Sequence, residues 1–508
     1  MNTTRLIVIG AIAAAAFVAC APVPAHDWPS PGGAPPRGQR QPAWPQETPA
    51  WAGLLWQGPR SGPPALPVAS DCRGAPALFD LPGPLPAQSA QSRWGGRGRE
   101  HAVEHERAAA PLADARRDAE SASSSTATAA AAAPTPAAKL HAPSEAFAPP
   151  PMPAPQTPRP ADEPVTAGVV DDNADFGEFV AFTQRWRVPR RDIALHERVL
   201  LDVRDERGRP VPDALVTVSS HGVPVPLWAR TDAGGRAWLM PQRDVPGDRF
   251  EVQVSKAGSS SRALWRRGQK DVLQVRLDGV TAERARLDIV FAIDATGSMA
   301  DEIDKLKTSM RAVADQIAHL PSRPDLCFGL VAYRDRGDEF FVRGADLTSD
   351  LGAFQDVLGR LRAGGGGDYP EAMNEALHTA VHRISWRGEG TARIVILLAD
   401  APPHLDYGAP HYEHDLRAAQ ARGVKIFGVG ASGLDRQGET ILRQMAQFTG
   451  GRFVFLTYDQ ARNPASGPGR ETVHDVRNYS VETLDKLLVR LVSEEMARWP
   501  EASGRSGW

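Results

Sequence analysis

The second half of the chain alternates short apolar runs with segments of helical periodicity. The run Leu287–Ile293 is rich in Val and Ile and has charged neighbours, a pattern typical of a strand buried on both faces. Leu326–Tyr333 and Ile394–Ala399 predict further strands, and Phe340–Leu347 predicts an antiparallel edge strand. Over residues 284–460 we therefore predict an α/β fold, a doubly wound, mostly parallel sheet with helices on both faces. Apolar residues recurring every three or four positions predict the first helix face: Ile303, Leu306, Met310, Val313, Ile317 and Leu320.

Residues 176–283 have the alternating pattern of short strands separated by Gly and Pro turns. Such strands at regular intervals predict a small all-β sandwich ahead of the α/β domain. After that domain, residues 461–508 predict a loop and then an amphipathic helix within Ser480–Met496, which we expect to pack back on the domain. The predicted strands of the sandwich include Leu200–Val203, Leu215–Val218, Phe250–Val254 and Val272–Leu277.

The N-terminal part has little periodic apolar pattern. Residues 21–175 are dominated by Pro, Ala, Ser, Gly and Arg, and we expect a disordered or extended tether. Residues 1–20 combine a basic residue with a short apolar run, which predicts a secretory signal. The end of that run, Phe17-Val18-Ala19-Cys20, resembles a bacterial lipoprotein box, although Phe17 stands where Leu is expected. This resemblance implies cleavage before Cys20 and a lipid on it; the alternative is cleavage near Ala25 and release into the periplasm.

Composition narrows the possible functions. The chain has 508 residues, a formal net charge of −3, 45 Pro and 46 Gly, and we expect no nucleic-acid partner. It contains no G-x-x-x-x-G-K-[ST] sequence, which excludes a P-loop ATPase. An exported protein could oxidise a pair of its three cysteines, but no disulfide framework is visible. We predict that Cys327 is a small core residue.

The candidate chemistry lies directly after the first strand of the α/β domain. Asp294, Thr296 and Ser298 offer one carboxylate and two hydroxyls at alternate positions of a tight loop. Hard oxygen donors at the carboxyl end of a buried strand are what a divalent cation such as Mg²⁺ requires. The alternative is that Asp and Ser only cap the helix that follows.

This loop resembles the metal-ion-dependent adhesion site (MIDAS) of von Willebrand factor type A (VWA) domains, Asp-x-Ser/Thr-x-Ser. The resemblance implies two further loops: Asp400 ends the strand Ile394–Ala399, and Asp368 follows a Gly pair where the family has Thr. It implies that the five side chains hold Mg²⁺ or Ca²⁺, directly or through water, and that a protein partner binds through the metal.

Residues 200–235 resemble a second family, the carboxypeptidase-regulatory-like sandwich, which implies a structural module. Altogether we predict an exported, lipid-anchored, non-enzymatic binding protein of the cell envelope. One alternative is a zinc hydrolase that uses His404, His411 and His414, whose spacing matches no H-E-x-x-H motif. The other is a purely structural envelope protein.

Overall fold

The computed structural model of the protein describes residues 67–69, 71–81, 163–320, 322–367 and 369–500, which contain seventeen strands and seven α-helices. The strands before the α/β domain are β1 (Leu78–Leu81), β2 (Thr166–Val170), β3 (Val199–Arg204), β4 (Leu215–Ser220), β5 (Val223–Arg230), β6 (Arg236–Leu239), β7 (Arg249–Lys256), β8 (Ser259–Arg266) and β9 (Leu273–Arg276). The later strands are β10 (Arg286–Asp294), β11 (Asp325–Tyr333), β12 (Val342–Thr348), β13 (Thr391–Ala399), β14 (Val424–Gly430), β15 (Phe453–Gln460), β16 (Asn463–Pro468) and β17 (Glu482–Thr483). The helices are α1 (Phe176–Arg185), α2 (Ile303–Ala318), α3 (Leu351–Gly359), α4 (Met373–His382), α5 (Tyr412–Arg422), α6 (Arg436–Thr449) and α7 (Leu484–Met496).

Ten strands form one mixed sheet in the order β1-β12-β11-β10-β13-β14-β15-β2-β17, with β16 paired to β15. The five central strands β11, β10, β13, β14 and β15 are parallel, as predicted. Every residue of β13 is buried, as is every residue of β10 after Arg286. Both faces of these strands are therefore covered, which explains why their sequences are apolar without alternation. None of the described helices is long and apolar enough to cross a membrane.

The strand predicted as an edge of this sheet is covered. β12 runs antiparallel to β11, as expected, but β1 pairs with its other side, with Leu78 opposite Ala345 and Leu81 opposite Val342. An open edge exposes unpaired N–H and C=O groups, and β1 satisfies those of β12. β1 belongs to the segment 21–175, for which we expected no packed structure. This strand has only four residues, LFDL, in a Pro-rich stretch, and they are too few to show the alternation of apolar and polar positions that predicts a strand.

A disulfide bond fastens this N-terminal segment to the domain. Cys72 is bonded to Cys327 of β11 with 6.3 Å between their Cα atoms, and the two are 255 residues apart in sequence. Cys327 is buried in the core, as predicted, and it is one of the pair that is oxidised, although no disulfide framework was visible in the sequence. The bond encloses about half of the chain, and a pairing over so long a loop cannot be recognised from cysteine spacing.

The end of the predicted tether is also part of the sheet. β2 pairs antiparallel with β15, from Val170 opposite Phe453 to Thr166 opposite Thr457. The next helix, α1, places Phe179 and Phe182 in the core of the α/β domain. The first strand of the two small sheets, β3, begins at Val199, close to the predicted strand Leu200–Val203. The rest of the predicted tether, the predicted signal 1–20 with Cys20, and residues 501–508 lie outside the described residues.

Strands β3–β9 form two small sheets, β6-β3-β9 and β5-β4-β7-β8. Their buried side chains make one hydrophobic cluster, separate from that of the α/β domain. In it the rings of Phe250 and Trp265 lie 4.8 Å apart. The buried carboxylate of Asp213 joins this two-sheet module to the α/β domain, because it accepts hydrogen bonds from Arg230 within the module and from Arg393 of β13, both at 3.0 Å.

Helix α7 closes the domain near its C-terminal end, as predicted. It packs against α2, and its apolar stripe is buried. The stripe consists of Leu484, Leu487, Leu488, Leu491 and Val492.

Candidate functional site

The site lies where two neighbouring parallel strands end. β10 and β13 run in register, with Ile293 opposite Leu398, so that Asp294 and Asp400 leave the sheet side by side. The chain reverses direction across the sheet here, because β10 is flanked by β11 on one side and by β13 on the other. Crevices at such switch points are the usual ligand sites of open parallel sheets.

The first loop holds its three oxygen donors together. Asp294 Oδ1 accepts hydrogen bonds from the Thr296 backbone N–H at 3.0 Å and from the Thr296 hydroxyl at 2.7 Å. The Thr296 and Ser298 hydroxyl oxygens lie 3.0 Å apart. The second carboxylate oxygen, Asp294 Oδ2, is buried and has no hydrogen-bond partner. The alternative that these residues only cap a helix finds no support in the contacts, since the N-terminus of α2 has no side-chain cap.

The second strand end adds a carboxylate. Burial raises the pKa of Asp400, while interactions with the Ser298 hydroxyl and the Asp294 side chain lower it; the result is a raised pKa. Burial, followed by repulsion from Asp400, raises the pKa of Asp294 to about 8. Asp400 Oδ1 is a second buried oxygen without a hydrogen-bond partner. Two carboxyl groups that repel each other when both are ionised are therefore buried side by side at this edge of the sheet.

The glycine run packs directly on the first loop. Gly297 N–H donates to the Gly365 carbonyl at 3.0 Å, and Gly364 N–H donates to the Ala295 carbonyl at 3.0 Å. The two loops can pack this closely only with glycine at position 297, because a Cβ on Gly297 would lie 2.7 Å from the Gly365 carbonyl oxygen. Gly366 also has a φ of +69°, which favours glycine. Asp368 itself lies outside the described residues, but the loop that carries it is adjacent to Thr296.

Glu371 is a further carboxylate at this site that the sequence analysis did not include. It is buried, and a Cβ on Gly366 would lie 2.9 Å from its Oε1 atom. Burial, and then the charges of Asp294, Asp335 and other nearby carboxylates, raises the pKa of Glu371 to about 9. Its Oε2 atom is buried and unpartnered. The signal in the sequence was present, since Glu371 follows Asp368 by three residues at the start of a helix, but acidic residues there usually stabilise the helix dipole.

The donor set fits a hard divalent cation. It combines ionisable carboxylates with two hydroxyls, and the unpartnered oxygens of Asp294, Asp400 and Glu371 are buried. An unpaired buried polar oxygen costs free energy, and a Mg²⁺ or Ca²⁺ ion coordinated by such oxygens would remove that cost. The arrangement offers no thiolate or imidazole among these residues, so it does not match the preferences of zinc.

The three histidines considered for a zinc hydrolase do not converge. His404 stacks on Tyr407, with 3.5 Å between ring centroids, and its Nδ1 atom lies 3.2 Å from Asp406. His411 Nδ1 instead accepts from Arg191 at 3.0 Å. The His411 and His414 rings are 6.3 Å apart. Each histidine has a separate polar neighbourhood, and no shared ligand position follows from the contacts.

Residues 288–463 match the model of the von Willebrand factor type A domain. This chain contains a VWA domain. The match begins within β10 and ends in β16, so it includes the loops that carry Asp294 and Asp400.

Several curated proteins are similar to part of this chain. The chain is 30% identical over 121 residues to a putative ariadne-like RING finger protein R811 of Acanthamoeba polyphaga mimivirus, covering 24% of this chain and 12% of that protein. It is 30% identical over 124 residues to alpha-protein kinase vwkA of Dictyostelium discoideum, covering 23% and 19%. It is 35% identical over 91 residues to von Willebrand factor A domain-containing protein 7 of Mus musculus, covering 18% and 10%.

The chain thus spans less than a fifth of the length of these curated relatives. Among solved structures, the pilus adhesin SpaC from Lactobacillus rhamnosus GG in its open conformation aligns with 15% sequence identity and a TM-score of 0.27, covering 40% of this chain and 29% of that one.

Proposed function

We propose that the VWA domain binds Mg²⁺ or Ca²⁺ and presents it to a protein partner, without catalysis. In this proposal Asp294, Thr296, Ser298 and Asp400 supply oxygen ligands directly or through water, and Asp368 supplies another. The observation that supports it most strongly is the pair of buried carboxylates whose oxygens Asp294 Oδ2 and Asp400 Oδ1 have no hydrogen-bond partner. A cation would neutralise their repulsion and complete their coordination.

The proposed role of the ion is to accept one oxygen from the partner at an open coordination position. Asp368 in place of the family's Thr adds negative charge, which would largely neutralise a divalent ion. We therefore expect partner binding to depend less on an acidic partner side chain than in VWA sites that have Thr there. Titration of Mg²⁺ and Ca²⁺ into Asp368→Thr tests this, and unchanged affinity and ion preference would count against it.

The proposed location is the cell envelope, with a lipid on Cys20 as the membrane anchor. Beyond the sequence of the N-terminus, the disulfide between Cys72 and Cys327 supports export, because such bonds persist in oxidising compartments and are rare in the cytosol. Mass spectrometry of the mature protein would detect a lipid on Cys20; an unmodified N-terminus near Ala25 would favour release into the periplasm instead.

The decisive experiment has two parts, each using the full chain. Calorimetric titration with MgCl₂ and CaCl₂ compares wild type with Asp294→Ala and with Asp356→Ala, a matched control on the exposed side of α3. We expect binding by wild type and the control, and none by Asp294→Ala. A pull-down from envelope extract with and without EDTA then compares the same proteins. Partners that are retained regardless of EDTA and of Asp294→Ala would favour the structural alternative, and hydrolysis lost in His404→Ala would favour the enzyme.

A further inference from the structure

A second group of potential ligands lies between helices α4 and α5. His378 and His382 are one turn apart on α4, and Asp415 lies on α5. One ligand atom from each falls within 4.8 Å of the others, and in the part of the chain that the structure describes this is the only such trio of His, Cys, Asp or Glu. Histidines at i and i+4 project from the same helix face, which is the spacing of two ligands to one ion.

The geometry centres on one oxygen. His378 Nδ1 and His382 Nε2 each lie 2.9 Å from Asp415 Oδ1. The other oxygen, Asp415 Oδ2, is buried and has no hydrogen-bond partner, although Asp415 is only 2% exposed. The His382 side chain is 28% exposed. A metal ion would therefore reach the trio from solvent on the side of His382. The carboxylate of Asp415 would be available there as a ligand.

We propose that His378, His382 and Asp415 form a binding site for Zn²⁺ or a similar divalent transition metal, independent of the oxygen-lined site of the VWA domain. Two imidazole nitrogens and one carboxylate are a frequent zinc ligand set, and a solvent molecule occupies the fourth position. Metal–ligand bonds of about 2.0 to 2.2 Å hold ligand atoms roughly 3 Å apart. The present contacts of 2.9 Å thus need only small side-chain shifts.

Arg422 competes with the metal in this arrangement. Its Nη1 atom lies 3.2 Å from His382 Nδ1 and also donates to the Val381 carbonyl. A guanidinium can only donate, so His382 Nδ1 is the acceptor and Nε2 carries the hydrogen. Metal binding at Nε2 needs that lone pair, so the hydrogen must move to Nδ1 and Arg422 must turn away. Removal of the guanidinium is therefore expected to strengthen metal binding.

The test uses Co²⁺ as a spectroscopic probe and Zn²⁺ as the competitor on the full chain, with millimolar Mg²⁺ present to occupy the oxygen-lined site. We expect intense visible bands of a tetrahedral Co²⁺ complex that saturate at one equivalent and disappear on addition of Zn²⁺. His382→Ala, and Asp415→Asn in a second protein, should weaken Co²⁺ binding by more than about tenfold. Arg422→Met should strengthen it several-fold. His319→Ala, an exposed histidine at the end of α2, is the matched control and should match wild type.

Two results would overturn the proposal. One is the absence of these bands, and the other is bands of equal affinity in wild type and His382→Ala. Either would mean that the trio is an ion-pair cluster only. Arg422→Met is expected to bind Co²⁺ more tightly than wild type, and misfolding of the variant cannot produce that result. Asp294→Ala should keep the Co²⁺ bands, so failure here and failure of the oxygen-lined site are distinguishable.

Discussion

Replacement of Asp294 by Asn should stabilise the metal-free protein. Folding buries this carboxyl beside Asp400 and raises its pKa from 3.8 to about 8. At pH 7 the unfolded side chain is ionised, so the group takes up a proton on folding. Each pH unit between the ordinary pKa and pH 7 lowers the free energy of unfolding by about 1.4 kcal/mol. The protonation of Asp294 on folding therefore destabilises the protein by about 4 kcal/mol at pH 7. Asn does not titrate and avoids this cost, and its amide is placed to donate toward Asp400.

Addition of Mg²⁺ should remove much of this difference in stability between Asp294→Asn and wild type. A ligand that binds only the folded state stabilises it by about 2.7 kcal/mol at a concentration one hundred times its Kd. Wild type should gain this from Mg²⁺, whereas Asp294→Asn should gain little. Urea denaturation at pH 7, in EDTA and in Mg²⁺, measures the free energy of unfolding of both proteins. We expect the variant to be more stable in EDTA, by up to about 4 kcal/mol, and the difference to shrink in Mg²⁺.

The pH dependence supplies the control. The folded state binds more protons than the unfolded state between the two pKa values, so wild-type stability in EDTA is greatest at low pH and is lost as pH rises from about 4 to about 8. At pH 4 the two proteins should therefore be nearly equal in stability. If Asp294→Asn were less stable than wild type by the same amount in EDTA and in Mg²⁺, the burial of Asp294 would not destabilise the metal-free protein.

Three further predictions concern the metal, the disulfide and the junction between modules. Because a proton leaves the Asp294 carboxyl when a cation binds, apparent Mg²⁺ affinity should rise by about tenfold per pH unit up to pH 8 in calorimetric titrations; a flat profile would contradict the raised pKa. Cys72→Ser should lower the free energy of unfolding by at most about 5 kcal/mol, and a reductant should then affect wild type but not the variant. Asp213→Ala leaves two buried arginines without their carboxylate and should cost about 3 to 5 kcal/mol in urea denaturation, whereas the exposed Asp248→Ala should cost almost nothing.

The α/β fold could be predicted because its signals are local. β10 and β13 carry the apolar runs Ile289–Ile293 and Ile394–Ala399, a pattern typical of parallel strands that are buried on both faces. Asp294 and Asp400 could be paired in advance because the ends of parallel strands meet at one edge. The spacing of the first loop then placed Thr296 and Ser298 beside them, and the contacts agree.

What could not be predicted depends on distant partners. β1 is a strand only because β12 offers it an edge, and nothing in its four residues indicates that neighbour. The bond between Cys72 and Cys327 joins segments 255 residues apart. Asp415 follows His411 and His414 closely in sequence, whereas its side chain contacts His378 and His382 of another helix. Sequence spacing shows which residues share an element, but not which elements face each other.

The attachment of β1 and β2 to one sheet limits how far the VWA domain can stand from an anchor at Cys20. β1 lies at one edge of the sheet and β2 lies next to the last strand at the other edge, so the residues between them add no length between Cys20 and the domain. If Cys20 carries the proposed lipid, only the residues between Cys20 and the disulfide at Cys72 separate the domain from the bilayer. At 3.3 to 3.6 Å per residue, that stretch reaches at most about 180 Å. In the proposed lipoprotein, a protein partner would therefore have to lie within that distance of the anchoring membrane.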